Sequence, residues 1–429
     1  MDSKEFRKVG KEIVDYIADY MDSIRELPVL SKVEPGFMEL CLPEHPPSEG
    51  HKFQDIMEDF KKHIVGGTTH WNSPKFFAYF PAGQSYPSIC ADMLSSCLGC
   101  VGFSWISSPS CTELEIVMMD WLCEMLDLPE HFKSNSKTGG GVIQASASES
   151  TLICLMAARS KLLQKTKASD QLHKLVMYGS DQSHSSVERA GMLASVILRK
   201  IPTNEDNSMN VSELSSTILA DKLNGLYPFY VVATLGTTST CSFDNLALIG
   251  NITKVHDIWL HIDSAYAGSA FICPEYRFYM KGIELADSFN FNPHKWLLVN
   301  YDVSALWLKN HKYFTETFKI NPSYLQYAND KNAIDFRQIK LAHRFESYVI
   351  KDDHFYITHP VNMGLVCFRH KGSNSCNQDI LDKINRDGRI HIIGAMVKDI
   401  FILRFVICAE STKEQDVDYA WNAIKSIDV

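Results

Sequence analysis

The segment Ile258–Phe271, IWLHIDSAYAGSAF, opens on a mostly apolar run, ends it at Asp263, and continues in small residues interrupted only by Tyr266. A short apolar run bounded by small residues reads as a strand buried on both faces. Similar runs recur at 174–180 (KLVMYGS), 229–236 (FYVVATLG) and 305–309 (ALWLK), with helical stretches between them. Buried strands alternating with helices predict an α/β fold with a mainly parallel sheet covered on both faces. In such sheets ligands sit beyond the carboxyl ends of the strands. Residues such as Asp263, just past a run, are therefore the first candidates for chemistry.

The 429-residue chain has room for a large domain with appendages. With 45% hydrophobic and 22% charged residues it has the composition of a globular protein, and its net charge of -9 argues against nucleic acid as a partner. No apolar run reaches membrane-spanning length, and MDSKEFRKVGKEIVDYIADYM has neither the apolar core nor the cleavage site of a signal peptide. The expected location is the cytoplasm. The 12 cysteines, such as Cys90, Cys97, Cys100, Cys154 and Cys408, sit mostly in apolar segments and read as small core residues in a reducing compartment. The C-x-x-C at Cys97 and Cys100 has no second pair at zinc spacing, so no metal site is expected.

Phe6, Val9, Ile13, Ile17 and Tyr20 fall on one helical face that something must cover, a partner subunit being one candidate. LPEHPPSEGHKF (42–53) reads as a linker. From about Met363 two strand-like runs, GLVCFRHKG and FILRFVICA, alternate with helical NQDILDKIN and EQDVDYAWNAIKSI, which predicts a small α+β domain.

Four groups carry the chemical signal. In TGGGVIQASASESTLICLMAARSKLL, glycines lead through Ser146, Ala147 and Ser148 into a helix, a start at which backbone N–H groups favour an anion. Asp263 at a strand end can hold a proton on a heteroaromatic nitrogen. His184, in GSDQSHSSVERAG, can act as acid or base or stack on a flat ligand. Lys295, in NFNPHKWLLVN, sits among Phe291, Trp296, Leu297, Leu298 and Val299, and a desolvated lysine becomes a nucleophilic amine able to form a Schiff base. Taken singly, each has a plainer reading: a glycine turn with a serine cap, a loop-starting aspartate, a structural histidine, a surface lysine. Together they suit one ligand, an aromatic aldehyde bearing a phosphate and a pyridine nitrogen, which is pyridoxal 5'-phosphate.

The chain resembles the group II pyridoxal-phosphate-dependent decarboxylases, and most closely their animal aromatic-L-amino-acid branch. The resemblance runs through HWNSPKFFAYFPAGQSYP, GFSWISSPSCTELE, GGGVIQASASES, SDQSHSSVERAG, ATLGTT, HIDSAYAGSAFICPE, ADSFNFNPHKWLLVN, GLVCFRHKGSN and LRFVIC. It implies fold type I of the pyridoxal-phosphate transferase-like fold, with a seven-stranded sheet and an obligate homodimer. It divides the chain into a helical dimerisation segment (1–85), a large cofactor domain (86–345) and a small C-terminal domain (346–429). It makes Lys295 the Schiff-base lysine, Asp263 the partner of the pyridine nitrogen, His184 the residue stacked on the ring, and Tyr324 the tyrosine of the catalytic loop. Ala147, Ser148, Thr238, Ala265, Asn292 and His294 complete the cofactor contacts. Trp71, Tyr79, Phe80, Pro81, Ala82, Val101 and Phe103 line the substrate pocket with His184, partly across the dimer interface.

The implied reaction is decarboxylation of L-dopa, 5-hydroxytryptophan or related aromatic L-amino acids to amines, as in biogenic-amine (catecholamine) synthesis. FFAYFPAGQSYP favours aromatic substrates over histidine, and tyrosine decarboxylation lies nearer. Members of the family that form aldehydes carry Asn and Phe at the positions of His184 and Tyr324. Two departures stand out. After Gln338 the chain passes directly to IKLAHRFESYVIKDD, omitting a family block that follows the catalytic loop. A catalytically impaired isoform that binds a family partner is the competing reading of that omission. Ser264 stands where the family has alanine.

Overall fold

The computed structural model describes residues 1–102, 105, 107–166, 171–318, 336–361, 363–407, 409 and 411–427, with only the backbone of 336–339. The chain forms two compact units, Met1–Cys100 with Glu113–Thr317, and Val101–Thr112 with Phe318–Val429.

The first unit is built on seven strands: β1 (Gly140–Gln144), β2 (Leu175–Ser180), β3 (Ile197–Ile201), β4 (Tyr227–Thr234), β5 (Trp259–Asp263), β6 (Ser288–Phe291) and β7 (Ser304–Leu308). Their order is β1-β7-β6-β5-β4-β2-β3. Only β7 runs against its neighbours, so β1, β2, β4, β5 and β6 all end on the same edge. Successive residues of the apolar runs feed two different cores. Val176, Tyr178, Val231, Ala233, Leu260 and Ile262 face one side. Leu175, Met177, Tyr230, Val232 and Trp259 face the other, against Cys154, Leu155 and Ala158 of the helix Ala147–Thr166. A strand buried on both faces must be apolar at every position, which is why the runs are continuous rather than alternating.

The amino-terminal helix Ser3–Ser23 is capped by Asp2, whose Oδ1 accepts the N–H groups of Lys4 and Glu5 at 2.8 and 2.7 Å. Only Val9 of this helix is buried, and Phe6 is 66% exposed. The helix Tyr86–Leu98, which carries Cys90 and Cys97, buries no residue. The cysteines divide accordingly: Cys123 and Cys154 are core residues as expected, but Cys90, Cys97 and Cys100 are exposed. Among the described residues nothing buries the helix Tyr86–Leu98, so apolar surroundings in sequence did not mean burial there. Cys408 lies outside the described residues.

In the second unit, strands β8 (Phe355–Ile357), β9 (Leu365–His370), β10 (Ile393–Val397) and β11 (Ile400–Val406) form an antiparallel sheet in the order β10-β11-β9-β8. Lys398 and Asp399 join β10 to β11 with positive φ at both, the two-residue turn whose twist matches a hairpin. The helices Phe336–Ile350, Asn374–Asp387 and Glu414–Lys425 pack on it. Phe345 stacks on Phe405 at 3.8 Å and meets Trp421 edge-on at 5.5 Å. No helix among the described residues is long and apolar enough to cross a membrane.

Candidate active site

A cavity of about 180 Å³ opens at the carboxyl edge of the large sheet. The chain reaches it from five strand ends: Ser146, Ala147 and Ser148 after β1, His184 after β2, Thr234, Gly236 and Thr238 at and after β4, Asp263, Ala265 and Tyr266 at and after β5, and Asn292, His294 and Lys295 after β6. Register accounts for part of this convergence. Thr234 lies opposite Asp263, and Asp263 opposite Asn290, so β4 and β5 stop at one level and β6 one residue beyond it.

Asp263 is 4% exposed and its Oδ1 accepts the N–H of Ala265 at 3.0 Å. Burial raises its pKa above the usual carboxylate range, while that N–H, Lys295 and His184 act in the opposite sense. A carboxylate so placed gains from a cation set against it. Burial lowers the pKa of Lys295, with Asp263 opposing it, which increases the neutral, nucleophilic fraction of the amine. The desolvation has a different origin from the one its neighbours in sequence suggest. Trp296 and Leu298 are 48% and 59% exposed, whereas the ring of Phe80, distant in sequence, lies 5.5 Å from Lys295 Nζ.

His184 precedes the helix Ser185–Leu193, and its Nδ1 accepts the N–H of Ser186 at 3.2 Å. In the neutral imidazole the proton is therefore on Nε2, which is left as a donor. His294 Nδ1 lies 2.8 Å from the Val303 carbonyl and 3.0 Å from the Val303 N–H, and burial lowers its pKa. Ser146 Oγ accepts the N–H of Glu149 at 3.1 Å and fixes the start of the helix Ala147–Thr166. The first turn of that 20-residue helix presents backbone N–H groups and the positive end of its dipole to the cavity edge. Thr234 Oγ1 and Asn292 Oδ1, both from residues lining the cavity, are buried with no hydrogen-bond partner among the described residues.

These features fit pyridoxal phosphate. An anion-seeking helix start, a buried carboxylate, a desolvated amine and two orphaned polar atoms share one space, and each has a counterpart on that ligand. Every expected cofactor residue borders the cavity, namely Ala147, Ser148, His184, Thr238, Asp263, Ala265, Asn292, His294 and Lys295. The expected substrate residues are less unified. Phe80 borders the cavity, while Trp71 and Ala82 line a larger groove of about 850 Å³, with Tyr301 shared between the two. Trp71 stacks on Tyr79 at 5.4 Å, and Tyr79 and Val101 are 71% and 57% exposed. Pro81 is also exposed. Phe103 and Tyr324 lie outside the described residues. Thr234, Tyr266 and Tyr301 line the cavity but are absent from the expected set. The strand-end rule reaches Thr234, the last residue of β4, whereas no local pattern marks Tyr301.

Residues 35–341 match the family model described as the pyridoxal-dependent decarboxylase conserved domain. The chain belongs to the pyridoxal-dependent decarboxylase family. It is 47% identical to the aromatic-L-amino-acid decarboxylase of Rattus norvegicus, covering 100% of this chain and 98% of the relative. That alignment spans 470 positions against the 429 residues of this chain, so at least 41 positions have no residue opposite them here. Among solved structures, tryptophan decarboxylase of Catharanthus roseus in complex with L-tryptophan has a TM-score of 0.73 at 37% identity, covering 99% of this chain and 98% of that one. The 4-hydroxyphenylacetaldehyde synthase of Rhodiola rosea gives 0.72 at 34%, with the same coverage.

Proposed function

We propose that this chain uses pyridoxal phosphate to decarboxylate aromatic L-amino acids, L-dopa and 5-hydroxytryptophan foremost, to the corresponding amines. The observation that carries the reading is the pairing of a buried Asp263 with a desolvated Lys295 in one cavity, in a chain 47% identical to an aromatic-L-amino-acid decarboxylase. The chemistry the cofactor supplies when bound is an aldehyde that condenses with amines and a pyridine ring that takes up the electron pair left as CO2 departs.

The protein's part is positioning and charge. Lys295 would offer its amine to the aldehyde and hold or move a proton at that end of the cavity. Asp263 places negative charge where a protonated ring nitrogen is stabilised. Asn292, Thr238, Ser148 and the helix start at Ala147 would hold the phosphate side, with His294 and Ala265 closing the cavity. His184 would stack on the ring and border the substrate. Phe80, Trp71, Tyr79, Pro81 and Ala82 supply apolar surface for an aromatic side chain, with Val101 and Phe103. Tyr324 returns a proton to the substrate carbon.

We further read the active form as a cytoplasmic homodimer, with residues 1–85 as its dimerisation segment. The chain from 86 up to the helix Phe336–Ile350 reads as the cofactor domain and that helix onward as the small domain, so the expected boundary at 345 moves to the start of the helix. The helix Tyr86–Leu98 has no buried residue, and Leu94, Leu98 and Trp121 are 68%, 72% and 60% exposed. A second copy is the cover that this surface calls for. Amine formation is favoured over aldehyde formation because His184 and Tyr324 stand where aldehyde-forming members of the family carry asparagine and phenylalanine. Purified chain supplied with pyridoxal phosphate and L-dopa, 5-hydroxytryptophan, tyrosine or histidine tests the reading. It predicts equimolar CO2 and amine from the first two. Aldehyde with hydrogen peroxide, or no turnover by a folded, cofactor-loaded dimer, refutes it.

A further inference from the structure

Lys295 sits in the four-residue helix Pro293–Trp296, too short to hold its own shape. What holds it comes from a remote segment, 80–88. Gly83 N–H donates to the carbonyl of His294 at 2.7 Å, and Ser85 Oγ to the carbonyl of Leu298 at 2.9 Å. Ser88 Oγ donates to Asn300 Oδ1 at 2.7 Å. The approach at Gly83 is close enough that a Cβ there would come within 3.1 Å of Leu298 Cα. On the other side, Phe80 stacks on Tyr266 with centroids 3.7 Å apart and planes 12° off parallel. Tyr266 in turn stacks on Trp296 at 4.9 Å and 4°. Of the residues flanking Lys295, His294 is thus held directly by the segment that also forms the substrate wall, and Trp296 is linked to it through Tyr266.

We propose that Trp296, which does not border the cofactor cavity, is a positioning residue that fixes Lys295 and the substrate wall together through the Trp296–Tyr266–Phe80 stack. Trp296 anchors the outer end of the stack, Tyr266 transmits its plane, and Phe80 presents its face both to Lys295 Nζ and to the cavity. Loosening the stack gives back rotamer freedom to a lysine whose long side chain has much to recover. It also tilts the surface on which an aromatic substrate rests. Substrate affinity and amine reactivity therefore change together, although Trp296 touches neither ligand. This inference rests on the reading of Lys295 as the cofactor lysine.

The test compares Trp296→Leu and Trp296→Phe in the full-length chain. An aromatic pair contributes about 0.5–1.5 kcal/mol beyond burial, which is roughly a 2- to 13-fold effect. Trp296→Leu is expected to raise the KM for L-dopa and the dissociation constant of pyridoxal phosphate by about that factor, while Trp296→Phe restores both to within twofold. In cofactor-free protein, the pH midpoint for acetylation of Lys295 by acetic anhydride, read by mass spectrometry, moves upward in Trp296→Leu alone. Two results overturn the proposal. One is a Trp296→Leu chain that is less stable but keeps KM, cofactor affinity and the acetylation midpoint. The other is a Trp296→Phe chain as impaired as Trp296→Leu. If the wild-type chain neither binds pyridoxal phosphate nor turns over L-dopa, the proposed function fails, and the acetylation midpoint still decides the role of Trp296.

Discussion

Replacing Asp263 by asparagine keeps the shape of the cavity floor and removes its charge. The side-chain oxygen of asparagine can still accept the Ala265 N–H that Asp263 receives at 3.0 Å, so the local turn survives. The residue is 4% exposed, and burial already penalises its ionised form, so neutralising it does not lower the stability of the cofactor-free chain. The loss falls on the loaded site, where a buried cation no longer has its partner. Breaking such a buried pair costs about 3–5 kcal/mol. At 1.36 kcal/mol per tenfold, Asp263→Asn should lower kcat roughly 150- to 5,000-fold. The assay is CO2 release from L-dopa at saturating cofactor, with absorbance of the bound cofactor confirming equal loading and thermal unfolding confirming equal stability. A fully loaded variant within tenfold of the wild type would refute the assignment of Asp263.

His261, on the same face of β5 as Asp263, is fully buried with Nδ1 2.8 Å from Ser288 Oγ, and burial pushes its pKa down to about 3. Because its folded pKa lies below the unfolded value near 6.5, its contribution is intact above that pH and is lost as pH falls toward 3. Between pH 7.5 and 5 the wild type should lose about 2 kcal/mol more unfolding free energy than His261→Asn, measured by urea denaturation at both pH values. Equal losses in the two proteins would remove His261 as the cause. Phe345, stacked on Phe405 and edge-on to Trp421, anchors the core of the second unit. Phe345→Ala should cost about 3–5 kcal/mol in urea unfolding, and a cost below 1 kcal/mol would show that this core does not depend on it.

In the large sheet, the strands that the sequence revealed are those with both faces buried. β2, β4, β5 and β7 are apolar along their length because each face packs into a core. β6 was hidden by its own polarity. Ser288 and Asn290 are fully buried, with Ser288 Oγ taking the Trp259 Nε1–H at 2.8 Å, and such residues break the apolar pattern. β1 was hidden by its glycines, which sit where Gly141 has no room for a side chain beside Met119 and Trp307.

Part of the cofactor side was legible from strand ends, because His184 follows the recognisable run of β2 and Asp263 closes that of β5. Around the hidden β1 and β6 the signal was instead the glycine–serine helix start and the apolar neighbours of Lys295. The substrate side was not legible, because Phe80, Tyr266 and Tyr301 meet only through the folded path of the chain. Lys295 illustrates the limit. The sequence marks it as an unusual lysine on account of its apolar neighbours, yet Trp296 and Leu298 face outward, and Phe80 and Asp263 create its surroundings.

The most direct measurement is to load the purified chain with pyridoxal phosphate, reduce it with borohydride, and map the modified peptide by mass spectrometry. The expected result is a single phosphopyridoxyl group on Lys295, absent from Lys295→Ala. A folded chain that carries the label on another lysine, or none at saturating cofactor, would contradict it.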